Sequence, residues 1–130
     1  MQERTIKAVA WCDLALTAPF AIPFVAEALI SLIHEMDRQA GFGTPVTLFE
    51  MGPLSMMFVH IMGVLGVVWA FARLRTPIPA LARIDAGARL AVAALIAYAI
   101  AQGATPVLWL FIASEITGSM AQFFALRRYQ

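Results

Sequence analysis

The sequence predicts an all-α fold, a polytopic membrane domain of four transmembrane helices with both termini on the cytoplasmic side. Three observations predict it. Hydrophobic residues fill 62% of the 130 positions and charged residues only 13%, too little polar surface for a soluble domain of this length. Four stretches, 8–33, 53–74, 84–102 and 106–126, are apolar for about the 20 residues that a membrane-crossing helix needs. Eight of the nine cationic residues fall on one side of that arrangement: Arg4 and Lys7, then Arg73, Arg75, Arg83 and Arg89, then Arg127 and Arg128. Only Arg38 lies opposite, in the connection 34–52, so the positive-inside rule places the termini in the cytoplasm. One membrane domain accounts for residues 1–130. Because topology explains the arginines, no nucleic-acid surface is expected.

The first span holds Pro19 and Pro23, each of which removes a backbone donor, so a bend is expected within one continuous crossing. Asp13, Thr17, Phe20, Phe24, Glu27, Ser31 and His34 recur at three- and four-residue steps and form a face directed into the bundle. The basic start resembles a cleavable signal, but Asp13 interrupts the apolar run and no small-x-small site ends it, so a retained helix is expected. Cys12, the single cysteine, excludes an internal disulfide and reads as a packing residue.

Gly41, Gly43, Pro45, Gly52 and Pro53 punctuate the external loop 34–52, which has room for a short interfacial helix near 46–51. Gly63, Gly66 and Ala70 give the second span a low-relief strip for close helix contact, and Trp69 marks its cytoplasmic end. A short Pro-rich basic link follows. The third span carries Ala86, Ala93, Ala97, Ala101 and Ala104 near one face, a helix–helix contact surface. The turn that follows permits only an antiparallel hairpin, with Thr105 capping the fourth helix and Pro106 in its first turn.

Ionisable residues within these spans are where function is sought, since a charge at membrane depth costs about 2.5–3.5 kcal/mol even on mild insertion scales. Asp13 and Arg89 lie at similar depth from the cytoplasmic side, which predicts a structural ion pair between the first and third helices. Glu27 and His60 fall in the outer half and Glu115 near the midplane, with Tyr98 and Gln102 within reach from the third helix. A carboxylate–imidazole–carboxylate cluster of this kind suits a proton relay or a polar ligand head; the plainer reading is a hydrogen-bonded network that specifies the bundle. No metal site is expected. His34 and His60 are weak axial candidates for a haem, with no C-x-x-C-H beside them. Met51, Met56, Met57 and Met62 read as packing residues rather than copper ligands.

FVHIMGVLGVVWAFARLR (58–75), the Pro-containing linker, RIDAGAR (83–89) opening an Ala-rich helix and a last helix centred on ASEITG (113–118) together resemble the DoxX-like group of small bacterial four-helix membrane proteins. The resemblance does not extend to the Pro-broken first helix. It implies a bacterial cytoplasmic membrane location, and some members serve as membrane subunits of quinone-linked oxidoreductases. The leading expectation is an accessory subunit of a larger membrane complex, binding a quinone or lipid in an intramembrane polar pocket. A second is a small membrane enzyme, an isomerase or oxidoreductase component, with Glu27, His60 and Glu115 in proton transfer. A third is a proton- or ion-coupled carrier formed by oligomerisation. Expected partners are the bilayer and either other membrane subunits or further copies of the chain.

Overall fold

Proline and glycine set the helix boundaries. In the computed structural model, which describes residues 2–127, α1 runs Gln2–Ala21, α2 Val25–Ala40, α3 Pro53–Arg75, α4 Pro79–Ala101 and α5 Trp109–Arg127, with single 3-10 turns at Val46–Leu48 and Pro106–Leu108. Pro53 and Pro79 occupy first turns, where a missing N–H costs nothing. α3 stops just before Pro77, and α4 ends at a turn where Gly103 takes a left-handed φ of 101°. Thr105 Oγ1 accepts the Val107 N–H at 3.2 Å, so the expected cap and the Pro106 first turn are both present. Arg128, counted above among the cytoplasmic cations, lies outside the described residues.

The first apolar stretch departs from expectation. Instead of one bent crossing over 8–33, the chain forms two helices whose axes differ by 103°. Pro19 is accommodated inside α1, whereas Pro23 cannot donate to the Pro19 carbonyl and the helix ends at Ala21. Phe24, at φ 69°, turns the chain into α2 and is 86% exposed. The polar face therefore holds as far as Phe20 and then leaves the bundle. α2 takes in residues assigned to the loop and runs to Gly41, where a left-handed cap closes it.

α1 and α3 pack antiparallel and closely. A Cβ on Gly63 would lie 2.3 Å from the Ala21 nitrogen, and one on Gly66 would lie 2.7 Å from Thr17 Cβ. Ala70 is fully buried one turn on, so the small-residue strip does what its spacing suggests. α4 and α5 form a second antiparallel pair, with Ala86 and Ala93 buried and Ser119 Oγ donating to the Ala86 carbonyl at 2.9 Å. α1 also meets α5, joining the two pairs, and Ile6, Ala82 and Leu126 close the end beside the α3–α4 link. α2 crosses the opposite end. There Asp37 accepts hydrogen bonds from Thr44 N at 3.1 Å, Thr44 Oγ1 at 2.5 Å and Thr105 Oγ1 at 2.5 Å, clasping α2 to the α4–α5 turn.

The molecule is turned inside out relative to a soluble protein. Leu65, Leu95 and Leu110 are about two-thirds exposed, whereas Arg73, Asp37 and Gln122 are fully buried. Such a surface suits lipid, not water. α3, α4 and the segment Pro106–Arg127 are each long and apolar enough to cross a membrane, and the bent α1–α2 pair brings the number to four if it counts as one span.

Candidate functional site: a charge network behind a lateral cleft

Asp85 and Arg89 are one turn apart on α4 and share a face, and Trp69 and Arg73 repeat that spacing on α3. The two faces meet. Asp85 accepts from Trp69 Nε1 at 2.6 Å, Arg73 Nη1 at 2.7 Å, Arg89 Nε at 2.9 Å and the Gln122 amide. Asp13 on α1 accepts from Arg73 and Arg89 through the same carboxylate oxygen. Arg89 Nη1 reaches Glu115 on α5 at 3.1 Å. Three carboxylates and two guanidiniums thus tie α1, α3, α4 and α5 together. Gly118 makes room for this, since a Cβ there would fall 2.6 Å from Arg89 Nη1. Arg73 also lies over the Trp69 ring, 5.7 Å from its centre. Among the described residues, Arg73 Nε and Gln122 Oε1 remain without a protein partner.

On the α1–α5 side this network faces a cleft of about 480 Å³, within the range of small-molecule sites. Its walls are mostly small residues: Ala8 and Cys12 on α1, and Ala113, Ser114, Thr117 and Ala121 on α5. Asp13 and Arg89 also line it. The opening lies between two helices whose outer faces are apolar, so entry is sideways from the surrounding medium. Asp13 sits about 16 Å along α1, and Arg89 is near the middle of α4, at a rise of 1.5 Å per residue.

The predicted Asp13–Arg89 pair is present, enlarged by Arg73 and Asp85. Glu27 and His60 are also neighbours, with Glu27 Oε1 3.9 Å from His60 Nε2. Glu115 does not join them; it is held by Arg89. Tyr98 is 65% exposed and Gln102 is exposed in the turn, and neither bonds Glu115 among the described residues. His60 has a clear structural duty. Its Nδ1 lies 2.9 Å from the Phe20 carbonyl, which the break in α1 leaves free, so that nitrogen carries the proton and donates it. His34 stacks on Phe49, ring centres 4.5 Å apart, so the two histidines are engaged at separate places. Among the described residues, no group of three or more His, Cys, Asp or Glu side chains is arranged to hold a metal ion.

Sequence reasoning passed over Arg73, Asp85, Gln122 and Trp69. Arg73 lies at a span end, where topology already explains a basic residue, and the four-residue spacings Trp69–Arg73 and Asp85–Arg89 were the available signal. Comparison with family models, curated proteins and solved structures finds no match to this chain.

Proposed function

We propose that this chain is a small integral membrane protein that holds the polar head of a membrane amphiphile, a lipid or a quinone, in the α1–α5 cleft, as an accessory subunit of a larger membrane assembly. The observation that carries this reading is the cleft itself. It opens sideways, is walled by small residues, and has Asp13 and Arg89 fixed in its lining by a network that spans four helices. A rigid polar floor under an apolar entrance orients a ligand by its head and leaves the tail in lipid. The resemblance of 58–118 to DoxX-like proteins agrees with a bacterial cytoplasmic membrane, and the cation asymmetry with cytoplasmic termini.

An enzyme built on Glu27, His60 and Glu115 acting together has less support, because Glu115 is bonded to Arg89 rather than set beside the imidazole. Native mass spectra of protein released gently from its own membrane, with an absorption spectrum of the same sample, test the proposal. Additional polypeptide mass together with a retained amphiphile is expected. A bare protomer or homo-oligomer with neither partner nor adduct overturns it.

A further inference from the structure

α2 runs across the bundle rather than along it. Its axis lies 103° from that of α1, and α1 packs along α3, a helix long enough to cross a membrane. Both ends of α2 are fixed at one level, the end of the bundle away from the α3–α4 link. Its start follows the break in α1, where His60 holds the Phe20 carbonyl, and its last turn is fastened by Asp37 to Thr105 in the α4–α5 turn. At 16 residues it is about 24 Å long, short of the ~30 Å that a hydrocarbon core requires.

Helical spacing divides α2 into three faces. Ala26 and Asp37 are buried against the bundle, with Ile30 and Ile33 half-buried between them. Ser31, Glu35 and Arg38 form a polar face, on which Arg38 Nε donates to Glu35 Oε2 at 2.9 Å. Val25, Leu32 and Met36 fall within one narrow arc on the remaining side, and all three are exposed. Phe24 before α2 and Phe42 beyond its cap are exposed as well, so an apolar edge runs the length of the helix at the level where α1 ends.

We infer that α2 lies flat in the headgroup–acyl boundary of the leaflet at this end, with Val25, Leu32 and Met36 among acyl chains and Ser31, Glu35 and Arg38 in water, so that α1 alone completes the first crossing. The lipid surface is held by apolar contact. Interfacial helices commonly add basic residues that attract anionic lipid, but residues 22–52 carry Glu27, Glu35, Asp37 and Glu50 against Arg38 alone, and Arg38 is paired with Glu35. Zwitterionic lipid therefore suffices. This placement stands apart from the α1–α5 cleft and whatever occupies it.

The test uses the full-length protein with Cys12→Ser and one new cysteine, Leu32→Cys, Met36→Cys or Ser31→Cys, each at an exposed position. Each variant is labelled with bimane and reconstituted into phosphatidylcholine vesicles. Fluorescence loss is then read with iodide on both sides, and with lipids carrying a doxyl quencher near the top or near the end of the acyl chain. The Leu32 and Met36 labels are expected to lose at least about twice as much to the shallow quencher as to the deep one, in keeping with the ~5–10 Å depth of such helices. The Ser31 label is expected to lose most to iodide, and the pattern should persist when phosphatidylglycerol replaces phosphatidylcholine. Iodide loss at Leu32 and Met36 equal to that at Ser31 overturns the lipid contact. Stronger loss to the deep quencher overturns the flat placement, because it puts α2 inside a crossing. Protection of both labels from all three quenchers overturns the proposal too, since a second copy or another protein then covers this face.

Discussion

Arg89→Met is the perturbation that the charge network makes most consequential. Arg89 touches all three carboxylates of the cluster, on α1, α4 and α5, and its side chain is 6% exposed. Methionine fills the stem's volume but leaves Asp13, Asp85 and Glu115 facing the single guanidinium of Arg73. Removing one partner of a buried ion pair costs about 3–5 kcal/mol. Glu115, at 24% side-chain exposure, is the member able to relieve part of this by taking a proton, which places the expected loss toward the lower end. A loss of about 3 kcal/mol lowers the melting midpoint on the order of 10 °C for a chain of this size. The assay is thermal unfolding in a mild nonionic detergent, followed by the loss of monodisperse protein. Arg89→Met with Glu115→Gln in the same chain removes one charge of each sign, and is expected to recover at least about 1 kcal/mol of the loss. A midpoint unchanged within a degree or two in Arg89→Met refutes the reasoning, because it shows the cluster solvated rather than buried.

Other outcomes follow from the packing. Gly63→Leu is expected to force α1 and α3 apart, because its Cβ has only 2.3 Å to the Ala21 nitrogen; the protein should fail to stay monodisperse after extraction, and a stable variant would contradict the close approach. His60→Ala strands the Phe20 carbonyl at a cost of about 1–3 kcal/mol, and hydrogen exchange should quicken at the start of α2 while the amides of α4 and α5 stay protected. Asp37 gives a pH dependence. Burial pushes its carboxyl up, but the Thr105 and Thr44 hydrogen bonds outweigh this and hold it below the ordinary carboxylate value. A lowered folded value means the clasp stabilises fully above the ordinary carboxylate pKa and fades as pH falls through the lowered one. Melting midpoints of the wild type should therefore drop in acid more steeply than those of Asp37→Asn, and parallel acid limbs would count against the clasp.

Much of the architecture was legible because membrane helices announce themselves by length and apolarity, and because Pro53 and Pro106 sit where helices begin; Pro79 was read into the link before a helix at 84–102, although it starts α4. Gly63, Gly66 and Ala70 also foretold their contact, since small residues at that spacing have little other use. The break in α1 was only half legible. Pro23 signals that something must give, but the 103° turn depends on His60 capturing the Phe20 carbonyl and on Asp37 fastening the far end of α2, contacts 40 and 68 residues apart in sequence. At the site, matching depth found Asp13 with Arg89. The grouping of Glu115 with His60 joined a midplane residue to a pair in the outer half. Arg89, near the middle of its own helix, lies closer to Glu115 in depth and offers a permanent charge where histidine offers a conditional one.

The most direct test of an occupied cleft is to fill it. Ala113→Trp places an indole between α1 and α5 without replacing a member of the charge network, and native mass spectra then compare the variant with the wild type, both released from the same membrane. The account predicts one small-molecule adduct on the wild type and its loss from a variant that still melts within a few degrees. An adduct retained equally by both would place the amphiphile elsewhere and contradict the central claim.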